Sequence, residues 1–144
     1  MPTVLAACGG FLAAVLWMDL MFDVQIRRAG DRAAAVASIA TYYRRVTTDA
    51  FPMNRAIAAV MLIAVAGSAV RAFAVPSAGR LVALALAAGP VALALARVVP
   101  AAVRLGAQSD PLAIQAALAE RIWRDHVVCF VAIAAFTALE LCAG

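Results

Sequence analysis

Residues Val4–Ile26 read VLAACGGFLAAVLWMDLMFDVQI, an apolar run whose only charges are Asp19 and Asp23, close to its end. At about 1.5 Å of rise per residue, such a run crosses the ~30 Å hydrocarbon of a bilayer as one helix. A carboxylate held in hydrocarbon costs at least about 2.5 kcal/mol even on lenient insertion scales. Asp19 and Asp23 stand one helical turn apart and share a face, so both need partners inside a bundle.

The rest of the chain supplies that bundle. Of its 144 residues 67% are hydrophobic and 14% charged, with a mean hydropathy of +0.98. A soluble domain is about half apolar and a quarter charged. A chain this short could not hide the excess from water. Three further apolar runs approach the ~20 residues of a membrane span. With the first, the expected helices cover about 3–26, 52–73, 81–103 and 111–142. The expected fold is a single domain over 1–144: an all-α integral membrane protein, a four-transmembrane-helix bundle. Gly30-Asp31 is a break followed by an N-cap, and 32–47 then form a short interfacial helix between helices 1 and 2. Its Tyr42 and Tyr43, beside arginines, suit the headgroup level. Val75–Arg80 is the second connection, and Leu105–Leu118 the third. Ser109-Asp110-Pro111 within it reads as a cap with proline at the first helical position. Gly89-Pro90 predicts a kink in the third span.

All twelve basic residues are arginine. Only Arg71 and Arg80 fall on one side of the expected spans; the other ten fall on the other. The positive-inside rule then puts both termini outside and the long first connection in the cytoplasm. Arginine without lysine, beside abundant alanine, suggests a bacterial chain of the inner (plasma) membrane, a multi-pass protein. Membrane topology explains the charge of +4 better than nucleic acid, which is not expected as a partner. Cys8, Cys129 and Cys142 form no CxxC pair, so a disulfide framework or thiol-redox site is not expected. The run near the N-terminus lacks a basic n-region and reads as a retained helix.

Polar residues recur at one depth on all four spans. Asp19 and Asp23 lie on the first, Asn54 on the second, Arg97 on the third and Arg124-Asp125-His126 on the fourth. The reading is a convergent polar pocket facing the cytoplasm, with Asp19 or Asp23 paired to Arg97 or Arg124. Asp19 lies one turn deeper and is the residue expected to anchor the site, whereas Asp23, Arg124 and Asp125 can also snorkel to the interface. Asp19, Asp23 and His126 are the candidate catalytic groups. His126 is the sole histidine, and imidazole titrates near neutrality. Asn54, Arg97, Arg124, Asp125 and Tyr43 are the candidate substrate-binding groups. A metal at Asp19, Asp23 and His126 is chemically conceivable but lacks a spacing motif and a second histidine. No metal or cofactor is assigned. Glu140 is expected at the outer interface beside Arg71.

Three stretches carry a family resemblance. Trp17-Met18-Asp19-Leu20-Met21-Phe22-Asp23-Val24-Gln25 ends the first span. Ile39-Ala40-Thr41-Tyr42-Tyr43-Arg44-Arg45 precedes the second, with Asn54 at its start. Arg121-Ile122-Trp123-Arg124-Asp125-His126 opens the fourth. Their order resembles the anthrone-oxygenase-like family of small four-helix membrane proteins. Where that family often carries a Glu-His-Pro-like step, this chain reads Phe22-Asp23-Val24. The resemblance implies an oxidoreductase acting without an evident cofactor. In it, His126 with Asp19 or Asp23 is the base, and Arg97 or Arg124 holds the anion formed.

Three functions follow as expectations. The first is a membrane-embedded enzyme or binder of a small hydrophobic molecule, of aromatic or polyketide-like kind, using base-assisted deprotonation. The second is a proton-coupled small-solute transporter or channel working as a homo-oligomer. The third is a structural or assembly protein whose 32–47 segment docks a partner. The lipid bilayer is a partner in all three.

Overall fold

The computed structural model describes residues 1–28 and 30–143. Those residues form helices and connections with no strand, an all-α four-helix bundle. The first span comprises α1 (Pro2–Asp23) and a short α2 (Gln25–Arg28), separated at Val24. Next come α3 (Arg32–Arg44), which runs into a π-type turn at Arg45–Asp49, and α4 (Met53–Ala74), the second span. The third span is α5 (Ala78–Leu93), a π-type turn at Ala94–Val98, and α6 (Val99–Gly106). The fourth is α7 (Leu112–Cys142), 31 residues long. Four stretches are thus long and apolar enough to cross a membrane, as the runs in the sequence predict.

The connections differ from expectation in three places. The turn between the second and third spans is only Val75–Ser77, because the Ser77 hydroxyl accepts from the Arg80 N–H and starts α5 early. Between the third and fourth spans, α6 continues to Gly106 and α7 begins at Leu112 after Pro111. Asp110 does not cap α7. Its carboxylate takes two hydrogen bonds from Arg104, both at 2.8 Å, and that guanidinium holds the Asp110 carboxyl below the usual carboxylate range. Asp31 does cap α3, accepting from the Ala33 and Ala34 N–H groups at 2.9 and 3.0 Å. In the third span Pro90 lies inside α5, and the departure from α-geometry follows one turn later, at Ala94–Val98.

Two apolar cores stack along the bundle. One lies among the four spans, with Leu5, Leu12, Ala64, Ala87, Ile133 and Phe136 buried. Here α1 packs closely along α7: a Cβ on Gly9 would stand 2.3 Å from the Thr137 hydroxyl and 3.1 Å from Phe136. The other lies at the arginine-rich end, where Val36, Ile39 and Tyr43 of α3 pack on Ala101, Ala102 and Leu105 of α6 and on Ile122 of α7. A Cβ on Gly106 would stand 2.8 Å from the Arg44 backbone nitrogen, so only glycine lets α6 reach the end of α3. The short helix expected between helices 1 and 2 is folded over the end of the bundle. Its apolar face, with Val36, Ile39 and Tyr43, is used internally, while Arg32, Ala33, Ala37, Ser38, Thr41 and Arg44 stay exposed on the other face. Between the two cores the buried residues are Asp23 on α1 and Asp125, His126 and Cys129 on α7, a polar layer.

Candidate functional site

That polar layer is built by three helices. Asp19 and Asp23 project from the end of α1, and one helical turn separates them by about 6 Å along the axis. Tyr42 and Tyr43 are neighbours on α3 and diverge by about 100° around it. His126 lies on the buried stripe of α7 that continues through Cys129, Ile133 and Glu140. The Tyr43 hydroxyl donates to Asp23 Oδ1 at 2.6 Å, and the Tyr42 hydroxyl donates to Asp19 Oδ1 at 2.6 Å. His126 Nδ1 lies 2.7 Å from Asp23 Oδ2, and its Nε2 lies 3.9 Å from Asp19 Oδ2. The imidazole is thus held between two carboxylates, each tied by a tyrosine. The short contact assigns a proton to Nδ1, donated to Asp23, and leaves Nε2 facing Asp19.

Burial first, and the neighbouring carboxylates second, push the ionisation of Tyr42 and Tyr43 above the ordinary phenol value. Both therefore stay protonated and act as donors. Phe22 supports Tyr42 from the far side, with ring centroids 4.1 Å apart and planes within 8°. The site is closed: Asp23 is 0%, Tyr43 2% and His126 5% exposed. The Asp19 side chain, at 15%, is the more open carboxylate. This reverses the order expected from depth along α1. Asp23 is not an interface charge but the innermost member, because α3 folds over it. The expected opening toward the arginine-rich end is covered by the same helix.

The arginine partners are also corrected. Arg97 bonds Asp125 at 3.2 Å, not Asp19 or Asp23. Arg124 is exposed and, among the described residues, meets no carboxylate. Asp125 lies next to the imidazole with its Oδ2 buried and without a hydrogen-bond partner. Asn54 joins none of these contacts, and its Oδ1 is buried without a partner. Tyr43 is in the site by its hydroxyl. Tyr42 is the member that sequence reasoning missed. Glu140 is bonded to Arg71 as expected, and its carboxylate is buried between helices. Among the described residues no group of three His, Cys, Asp or Glu side chains is arranged around a metal position. The reason is visible in the imidazole, whose two nitrogens face different carboxylates.

Fold and site together define a class: a multi-pass, four-helix membrane protein with a buried carboxylate–imidazole–phenol network at one end of its spans. Comparison with known proteins finds no matching family model, no matching curated protein and no matching solved structure.

Proposed function

We propose that the protein is a membrane-embedded enzyme or binder of a small hydrophobic molecule carrying an acidic proton, such as a phenol or activated methylene. One observation carries this reading: the sole imidazole is oriented by Asp23 through Nδ1 and turns Nε2 toward Asp19, the more open carboxylate. A general base needs its proton-accepting atom aimed and its other nitrogen fixed. In this reading His126 and Asp19 meet the ligand, Asp23 positions the ring, and Tyr42 moves aside with α3 to admit the molecule. The ligand enters from the bilayer. The oxidation implied by the family resemblance would begin from the anion left by this proton transfer, with dioxygen as oxidant.

The arginine asymmetry supports an orientation in a bacterial inner membrane with α3 and the network on the cytoplasmic side and both termini outside. The test is mass spectrometry of small molecules that co-purify with the protein in mild detergent. Retention by the wild type and loss in both D19N and H126A, each still folded at the temperature of the measurement, supports the reading. Equal retention by all three contradicts it.

A proton-coupled transporter is the second reading. It is favoured by the continuity of exchangeable groups from Tyr42 through Asp19, His126 and Asp23 to Tyr43. Reconstituted vesicles showing a pH-driven flux abolished by H126A would favour it over the first.

A further inference from the structure

A surface depression lies away from this network. It has a volume of ≈ 550 Å³ and is lined by Ala50, Phe51, Pro52, Met53, Arg55 and Ala56, where the chain leaves the α3 region and enters α4. Apart from Arg55 its lining is apolar. Phe51 and Met53 are 62% and 57% exposed, and the Arg55 guanidinium lies over the Phe51 ring at 4.4 Å. We propose that this depression binds the phosphate and glycerol region of an anionic phospholipid, with Arg55 on the phosphate and Phe51, Pro52, Met53 and Ala56 against the glycerol and first acyl carbons.

Position, charge and chemistry agree on that occupant. α4 has 22 residues, about 33 Å at 1.5 Å per residue, close to the ~30 Å hydrocarbon thickness. Its first residues therefore stand where headgroups meet acyl chains. No acidic residue lies in its first turn and no side chain caps it, so the positive end of the helix dipole is left uncompensated. Among the described residues Arg44, Arg45 and Arg55 meet no carboxylate, so this end of the molecule carries unneutralised positive charge. The acid nearest in sequence is Asp49, one residue before the lining, and it opposes an anion. The N–H groups of Asn54, Arg55 and Ala56 already bond Ala50 and Pro52 carbonyls. The phosphate is therefore held by guanidinium and field, and not by a cradle of N–H groups. A soluble phosphate would gain nothing from exposed Phe51 and Met53, whereas a lipid buries both.

The experiment is native mass spectrometry of the full chain in detergent with equal amounts of phosphatidylglycerol and phosphatidylcholine. The wild type is expected to retain phosphatidylglycerol preferentially. R55Q is expected to weaken that retention about fivefold, the equivalent of ~1 kcal/mol for one arginine at an anionic surface. R55K keeps the charge and is expected to keep the preference, which separates loss of the site from loss of the fold. D49N is expected to strengthen retention, and A56W, which fills the depression, to abolish it. Equal retention of the two lipids by the wild type overturns the proposal. So does an undiminished preference in R55Q. Displacement of the lipid by millimolar inorganic phosphate also overturns it, by assigning the site to the free anion.

Discussion

Asp23 is the most buried member of the site and makes its short contacts to the other two helices: it belongs to α1 and bonds Tyr43 of α3 and His126 of α7 at 2.6 and 2.7 Å. Removing one partner from a buried charged network costs about 3–5 kcal/mol, since the groups left behind stay desolvated. D23A is therefore expected to lower the thermal unfolding temperature in detergent well below that of D19A, whose carboxylate reaches the surface and has one short hydrogen bond. Equal effects would mean that the two carboxylates are equally buried. The tyrosines allow a second test. The chain has only two, so the tyrosinate absorbance near 295 nm reports Tyr42 and Tyr43 alone. Burial and adjacent carboxylates raise both above the ordinary value. Their contribution to stability is complete below the unfolded phenol value of about 10 and is lost as pH rises through the higher folded values. An alkaline titration is expected to show no tyrosinate until the protein unfolds, and both residues ionising together then. A band growing near pH 10 in folded protein would contradict the donor role.

At the scale of elements, the fold depends on close approaches that only glycine permits. A Cβ on Gly106 would meet backbone atoms of Arg44, which cannot turn away. A Cβ on Gly9 would meet the Thr137 hydroxyl and the Phe136 ring, which have some freedom. G106A is expected to cost about 1–3 kcal/mol by overpacking and to loosen α3, with G9A costing less. Hydrogen exchange at α3 amides measures the first, and faster exchange there in G106A is the expected result. The ion pair of Arg71 with Glu140 ties α4 to α7 at the opposite end. E140A strands a half-buried guanidinium and is expected to destabilise more than the R71L/E140L double variant, where both charges are gone. Thermal unfolding of the three proteins orders them. The spans themselves were legible in the sequence because an apolar run of this length has one reading in lipid. Their ends were less so: Ser77 starts α5 early, and Asp110 serves Arg104 instead of α7, choices made by hydrogen bonds that the local pattern leaves open.

For the whole molecule, the legible part of the site was four of its five members, Asp19, Asp23, Tyr43 and His126, and the sequence also proposed Asn54, Arg97, Arg124 and Asp125, which the network does not use. His126 does meet Asp19 and Asp23, whereas Asn54 of the second span stays outside. What the pattern could not supply was α3 folding back over the bundle end, a long-range event that depends on Gly106 and on the Val36, Ile39 and Tyr43 face. That folding buries Asp23, turns both tyrosines inward and excludes Arg124. A signal for Tyr42 was present: two adjacent tyrosines diverge around a helix, and two carboxylates one turn apart are spaced to receive them. The central claim is that Asp23 holds His126 through a protonated Nδ1 with Nε2 directed at Asp19. Because His126 is the only histidine, selective ¹⁵N-histidine NMR in detergent micelles observes it without overlap. The expected spectrum has a protonated, slowly exchanging Nδ1 whose shift moves in D23N but not in D110N. A neutral ring with its proton on Nε2, or an Nδ1 signal indifferent to D23N, would contradict the claim.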